Sequence, residues 1–159
     1  MQLARTPAPP TGLLDGSLHL FPVRVYYEDT DLSGIVYHAN YLRWFERARS
    51  DMLRLLGIDQ RAAVEAGEGA YAVADLAIRY LAPARLDDAV TIATHATEIR
   101  AASVRLNQRA FRIRADGAEE KLAEADIRVG FVAPDGRPQR QPAPWRTAFD
   151  ALLNSEESE

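Results

Sequence analysis

The chain of 159 residues contains no cysteine, which excludes disulfides, thiolate nucleophiles and zinc–thiolate centres. Its 3 histidines, His19, His38 and His95, stand apart without ligand spacing, so no metal is expected. Charge of one sign is lacking too. There are 19 basic against 23 acidic residues, a net charge of −4, and the basic residues alternate with acids instead of clustering. A nucleic-acid partner, which calls for a basic face, is not expected. No apolar run approaches the roughly 20 residues needed to cross a bilayer, and the N-terminal residues lack the apolar heart of a cleaved signal peptide. A cytoplasmic protein without a transmembrane segment is the expectation. Glycine-rich phosphate loops and nucleophile-elbow serines are absent as well.

What is present is 47% hydrophobic and 26% charged residues, the balance of one soluble globular domain. Residues 1–17, with their prolines and glycines, predict a mobile tail, residues 18–153 the domain, and the acidic residues 154–159 a disordered end. Residues 19–28 read as a first strand. Periodicity then turns helical from about residue 39 to 56, where Tyr41, Trp44, Phe45, Ala48, Met52, Leu55 and Leu56 form an apolar stripe. Arg43, Arg47, Asp51 and Arg54 decorate the other side, with Arg47 and Asp51 spaced to pair. Gly57 suits the C-cap, and residues 60–66 fit a short helix. Residues 71–81, 89–100, 103–114 and 121–133 read as four strands in a meander, with turns at Asp87-Asp88, Ala101-Ala102 and Asp116-Gly117. A proline-rich exit at 134–144 precedes a last short helix at 145–153. The expected architecture is α+β: a curved antiparallel sheet of about five strands around one long helix.

The passage with chemistry in it is VYYEDTDLSGIVYHANYLRWFERAR, residues 25–49. It sets Asp29 and Asp31 past a strand end and just before a helix, whose first N–H groups lack intrahelical partners. Such a carboxylate can activate water or attack a carbonyl carbon. The N–H groups near His38 and Ala39 can hold an oxyanion. Gly34 permits a backbone path that a side chain would obstruct. Residue types and spacing alone favour a plainer reading, in which Asp29, Thr30 and Asp31 cap a turn. They leave His38 equally suited to a cap and to a substrate contact. Asn40 fits the N-cap, Tyr37 and Tyr41 can line a pocket, and Tyr41 also falls on the core stripe. His19 and His95 are given no role.

Residues 27–31 (YEDTD), 34–38 (GIVYH) and Asn40-Tyr41 resemble the signature of the 4-hydroxybenzoyl-CoA thioesterase family, closest to its Tol–Pal-associated acyl-CoA thioesterases. Residues 80–88 (YLAPARLDD) are similar to that family's second recurring stretch, so the likeness spans roughly residues 21–134. The resemblance implies the hotdog fold and hydrolysis of an acyl-CoA to free acid and CoA without a cofactor. It puts the catalytic carboxylate on Asp31, reversing the capping preference, and the carbonyl-polarising N–H at His38, whose side chain is typical of that branch. Gly34, Val36, Tyr37, Asn40 and Tyr41 fall on substrate-binding positions. Ser33 and Asp87 depart from the pattern, each standing where glycine is common. Pairing of subunits through their sheets, with acyl pockets between them, implies a homodimer or homotetramer. The acyl group, and the choice between CoA and an acyl carrier protein as donor, are left open. A non-catalytic acyl-CoA or carrier-protein binding module is the alternative. A hotdog dehydratase would need a carboxylate of the helix, and only Glu46 is near enough.

Overall fold

A computed structural model describes residues 1–155; residues 156–159, most of the expected acidic end, lie outside the described residues. The order is β1 (Leu13–Asp15), β2 (Leu18–Arg24), a 3-10 turn (Tyr27–Asp29), α1 (Asn40–Leu55), α2 (Gln60–Glu65), β3 (Ala70–Tyr80), β4 (Ala89–Ile99), β5 (Ser103–Ile113), β6 (Glu119–Val132) and α3 (Ala143–Leu153). All strands join one antiparallel sheet in the order β1-β2-β4-β5-β6-β3. This is the hotdog architecture expected from the sequence, with a sixth strand added.

The α1 stripe does what its spacing predicts: Tyr41, Trp44, Phe45, Ala48 and Met52 are buried against the concave face of the sheet. Each large side chain taken from water there contributes about 1.5–3 kcal/mol. Alternate residues supply the facing surface, such as Val104 and Leu106 of β5 and Ile127 and Val129 of β6. Register shifts in β3 after Val73, in β4 after Ala96 and opposite β5 after Ala110 mark bulges, which bend strands and let the sheet curl round the helix. Gln108, fully buried on β5, ties the layers together. Its amide donates to the Phe45 carbonyl (3.0 Å) and to the Thr94 hydroxyl (2.9 Å), and its oxygen accepts from Arg49 (3.0 Å).

Four expectations need correction. The four later strands are not a simple meander. Only β4, β5 and β6 follow one another, while β3 lies at the far edge beside β6. Asp87-Asp88 is therefore not a hairpin turn but the end of a crossover, residues 81–88, that runs across the mouth of the sheet. Asp87 itself holds φ of 71°, the one positive value outside glycine among the described residues, a conformation that favours glycine.

The second correction concerns residues 1–17, whose inner end is ordered. β1 pairs with β2, the Thr11 hydroxyl donates to Asp51 (2.7 Å), and so does the Gly12 N–H (2.9 Å). A Cβ on Gly12 would stand 2.1 Å from the Leu20 carbonyl oxygen, so only glycine passes. Third, Asp51 does not decorate the polar side of α1. It is 5% exposed, and it binds His19 Nε2 at 2.8 Å rather than Arg47. Leu53 is buried where Leu55 was expected to be. Fourth, the first strand stops at Arg24, because residues 27–29 turn to build the site.

Candidate active site

Between β2 and α1 the chain is fastened by backbone bonds at nearly every step. The 3-10 turn presents Asp29, which is buried and accepts from the Tyr26 N–H (2.7 Å) and the Asn40 side-chain amide (2.6 Å). Asp29 is thus the brace between turn and helix. Asn40 is not the N-cap: Ala39 holds that position and Asn40 is the first helical residue, its amide turned to Asp29. Residues 30–36 form a tight loop closed by the Thr30–Val36 bridge, with Asp31 N–H on the Ile35 carbonyl (2.9 Å) and Gly34 N–H on the Asp31 carbonyl (3.0 Å). Gly34 is needed for its φ of +80° and not for room, since a Cβ there would meet nothing within 4 Å. The crossover braces this loop from outside: Val36 N–H donates to the Ala84 carbonyl (2.9 Å), and Ile35 bridges Arg85. The crossover is anchored in turn by Asp88, which accepts from the Arg85 N–H (2.9 Å) and pairs with Arg112 (2.7 Å).

Asp31 sits at the loop tip with its carboxylate exposed. Its Oδ1 accepts from the N–H (2.8 Å) and the hydroxyl of Ser33. Those two bonds hold the carboxyl below the usual carboxylate range, and the nearby His38 adds to the effect. Asp31 is therefore ionised at neutral pH. Past the loop, Tyr37 N–H donates to the Asp29 carbonyl (2.8 Å), Asn40 N–H to Tyr37 (2.9 Å) and Leu42 N–H to Ala39 (3.2 Å). The N–H groups of His38 and Ala39 take no part in these backbone bonds among the described residues. They are the open end of the α1 dipole, and the loop just before them carries the ionised Asp31.

Beside them runs a shallow, mainly apolar groove of about 330 Å³, walled by Ile35, Val36, His38 and Tyr41 on one side and Tyr80 to Pro83 on the other. Of the residues expected to meet substrate, Val36, His38 and Tyr41 line it, whereas Gly34, Tyr37 and Asn40 do not. Tyr37 is exposed and packs edge-on against the His38 ring, with centroids 4.6 Å apart. Tyr41 is core as well as wall: burial pushes its hydroxyl up to about 12. A second, more enclosed cavity of about 170 Å³ lies between the later half of α1 and the start of β3, lined by Arg49, Met52, Tyr71 and Phe149 among others. It shares no residue with the groove. Sequence reasoning overlooked Ser33 as the partner of Asp31 and Tyr80 as a neighbour of His38. The serine two residues after an aspartate is a readable Asx-turn signal; nothing local announces Tyr80. Among the described residues no cluster of potential metal ligands occurs, and no helix is long and apolar enough to cross a membrane.

The sequence and the fold are both shared with known proteins. The Thioesterase-like superfamily matches residues 25–153. Acyl-CoA thioesterase YbgC of Haemophilus influenzae is 43% identical over 112 residues, covering 70% of this chain and 79% of its own. Acyl-CoA thioesterase YbgC of Helicobacter pylori is 35% identical over 136 residues, covering 83% and 97%. Among solved structures, a 4-hydroxybenzoyl-CoA thioesterase mutant complexed with 4-hydroxybenzoyl-CoA superposes with a TM-score of 0.77 at 25% identity, covering 83% of this chain and 98% of that one. A probable thioesterase from Bartonella henselae does so at 0.71 and 34%, covering 79% and 99%. The family match, the relatives and the fold together show that the chain belongs to the thioesterase-like superfamily of hotdog enzymes.

Proposed function

We propose that the protein hydrolyses acyl-CoA thioesters, with Asp31 as the catalytic carboxylate and the N–H groups of His38 and Ala39 as the oxyanion site. The observation that carries the proposal is the pairing of two backbone donors outside the turn's hydrogen bonds with an ionised carboxylate on the adjoining loop. The thioester carbonyl oxygen accepts from those donors, which favours charge on it most strongly in the transition state. By one route Asp31 takes a proton from water, the water oxygen bonds to the acyl carbon, and the carbon–sulfur bond breaks to release the CoA thiolate. By the other, an Asp31 oxygen attacks the acyl carbon and expels the thiolate, and water then cleaves the mixed anhydride. Single turnover in heavy-oxygen water separates them, since label reaches the enzyme carboxylate only through the anhydride. A thioester is already activated and the helix end supplies the electrostatics, so the proposal includes no metal or prosthetic group.

The likeness to curated hydrolases supports turnover over the binding-module reading. A homodimer is part of the proposal. The apolar residues round Asp31, Tyr27 (84% exposed) and Leu32 (109%) among them, are poorly placed in water and well placed under a second copy. For the CoA phosphates, Arg79, Arg100 and Arg105 are each engaged with a glutamate. Arg85, beside the loop, enters no ion pair among the described residues and is the better candidate. The cytoplasm, where acyl-CoA is made and used, is the compartment this reading expects.

The test is thiol release from a panel of acyl-CoAs with Asp31→Asn alongside. A folded Asp31→Asn protein is expected to lose about 10²- to 10⁴-fold in kcat while still binding substrate. Saturable binding without turnover in the wild type would instead establish a binding module.

A further inference from the structure

The peptide group between His38 and Ala39 is gripped from the far edge of the sheet. Tyr80, the last residue of β3, donates its hydroxyl to the His38 carbonyl at 2.8 Å. In a regular helix that carbonyl would accept from the N–H of Leu42, four residues on. Here the Leu42 N–H goes to Ala39 instead, and the Tyr80 hydroxyl takes up the oxygen left over. A trans peptide is planar, with its C=O and N–H pointing opposite ways. Fixing the direction of the His38 carbonyl therefore fixes the direction of the Ala39 N–H. A donor on the carbonyl also polarises the amide and makes its N–H a stronger donor.

Tyr80 is itself held in place. Its ring stands edge-on to His38 (6.0 Å, 89°) and to Tyr41 (5.6 Å, 70°), and its side chain walls the groove. We infer that Tyr80 is a positioning residue for thioester hydrolysis: its hydroxyl, on the His38 carbonyl, aims and strengthens the Ala39 N–H that receives the developing oxyanion. The inference rests on the thioesterase reading above and goes beyond it by adding a residue that touches neither acyl carbon nor water. Partial burial raises the hydroxyl above its ordinary range, so it remains a donor across the working range of pH.

Strengthening an oxyanion donor acts where charge develops, so the effect belongs in kcat rather than KM. The experiment compares wild type, Tyr80→Phe and Tyr80→Leu on the best acyl-CoA of the panel. It also records the infrared carbonyl stretch of a bound ketone analogue in which CH₂ replaces the thioester sulfur. Tyr80→Phe keeps the ring and, at a half-exposed site, the fold. It is expected to lower kcat by roughly five- to twentyfold, leave KM within about twofold, and move the ketone stretch to higher frequency. Tyr80→Leu should add a loss in KM through the groove wall. A wild-type kcat in folded Tyr80→Phe, or a reduced kcat with an unmoved stretch, would overturn the positioning role and leave the thioesterase reading standing. A wild type that turns over no acyl-CoA would remove both.

Discussion

Asp31 and Ser33 show how a single side chain sets the working range of another. The hydroxyl and N–H of Ser33 stabilise the ionised form of Asp31 and so lower its pKa. Removing the hydroxyl must raise it. In Ser33→Ala the acid limb of the kcat/KM profile is expected to move to higher pH, with the plateau still reached at neutrality. A limb that stays where it is in wild type would mean that Asp31 does not govern it. At this scale the sequence was legible where a residue acts on near neighbours. The turn that Asp31 caps and the glycine at position 34 that it needs were legible in the local pattern, whereas the roles proposed for Asp31 and His38 came from the family resemblance. Legibility failed for residues that act across space. Asp29 and Asn40 are eleven positions apart (|i−j|=11) in their bond, and Tyr80 and His38 forty-two (|i−j|=42), and no spacing rule joins such pairs.

Among the elements, α1 was read well because its stripe has the 3.6-residue period of a helix. Besides Leu53, buried in place of Leu55, one charged residue broke the pattern. Asp51 reads as a surface charge from the α1 sequence alone, yet the segment before β1 folds over it with two donors, from Thr11 and Gly12, and His19 of β2 adds a third. His19 is fully buried and its Nδ1 has no partner. Burial lowers its pKa, with Asp51 opposing in part. The sign follows from linkage: a histidine with a folded pKa below its unfolded value takes up a proton more readily when unfolded. Its contribution to stability is whole above the unfolded value of about 6.5 and is lost as pH falls from there toward the folded value. The melting temperature should therefore decline from pH 7 to pH 5, and the decline should be shallower in His19→Asn, whatever that variant's absolute stability. Equal slopes would show that His19 does not carry the effect. Asp51, also lowered, acts only below the carboxylate range and leaves this window clear.

For the whole molecule the sequence disclosed every part but β1 and misplaced β3. A strand that follows the helix reads as the first of a meander. The chain instead carries β3 to the far edge and returns through a crossover that bridges Ile35 and supports Val36, contacts that no local pattern announces. The placement leaves β3, eleven residues long, paired on one side only, which is a template for a second copy. Light scattering at micromolar concentration should return twice the chain mass, with specific activity falling on dilution into the monomer range; a fully active monomer would refute the shared site. The opposite edge is different. β1 offers only three residues, and the approach to it contains Pro7, Pro9 and Pro10, which have no N–H to give a neighbour. The sheet can thus be extended at one border and is blocked at the other. Two copies joined at β3, as the proposed dimer has them, would present only blocked borders, so growth along the sheet would end after one addition and a protein with a long exposed strand would escape becoming a fibre.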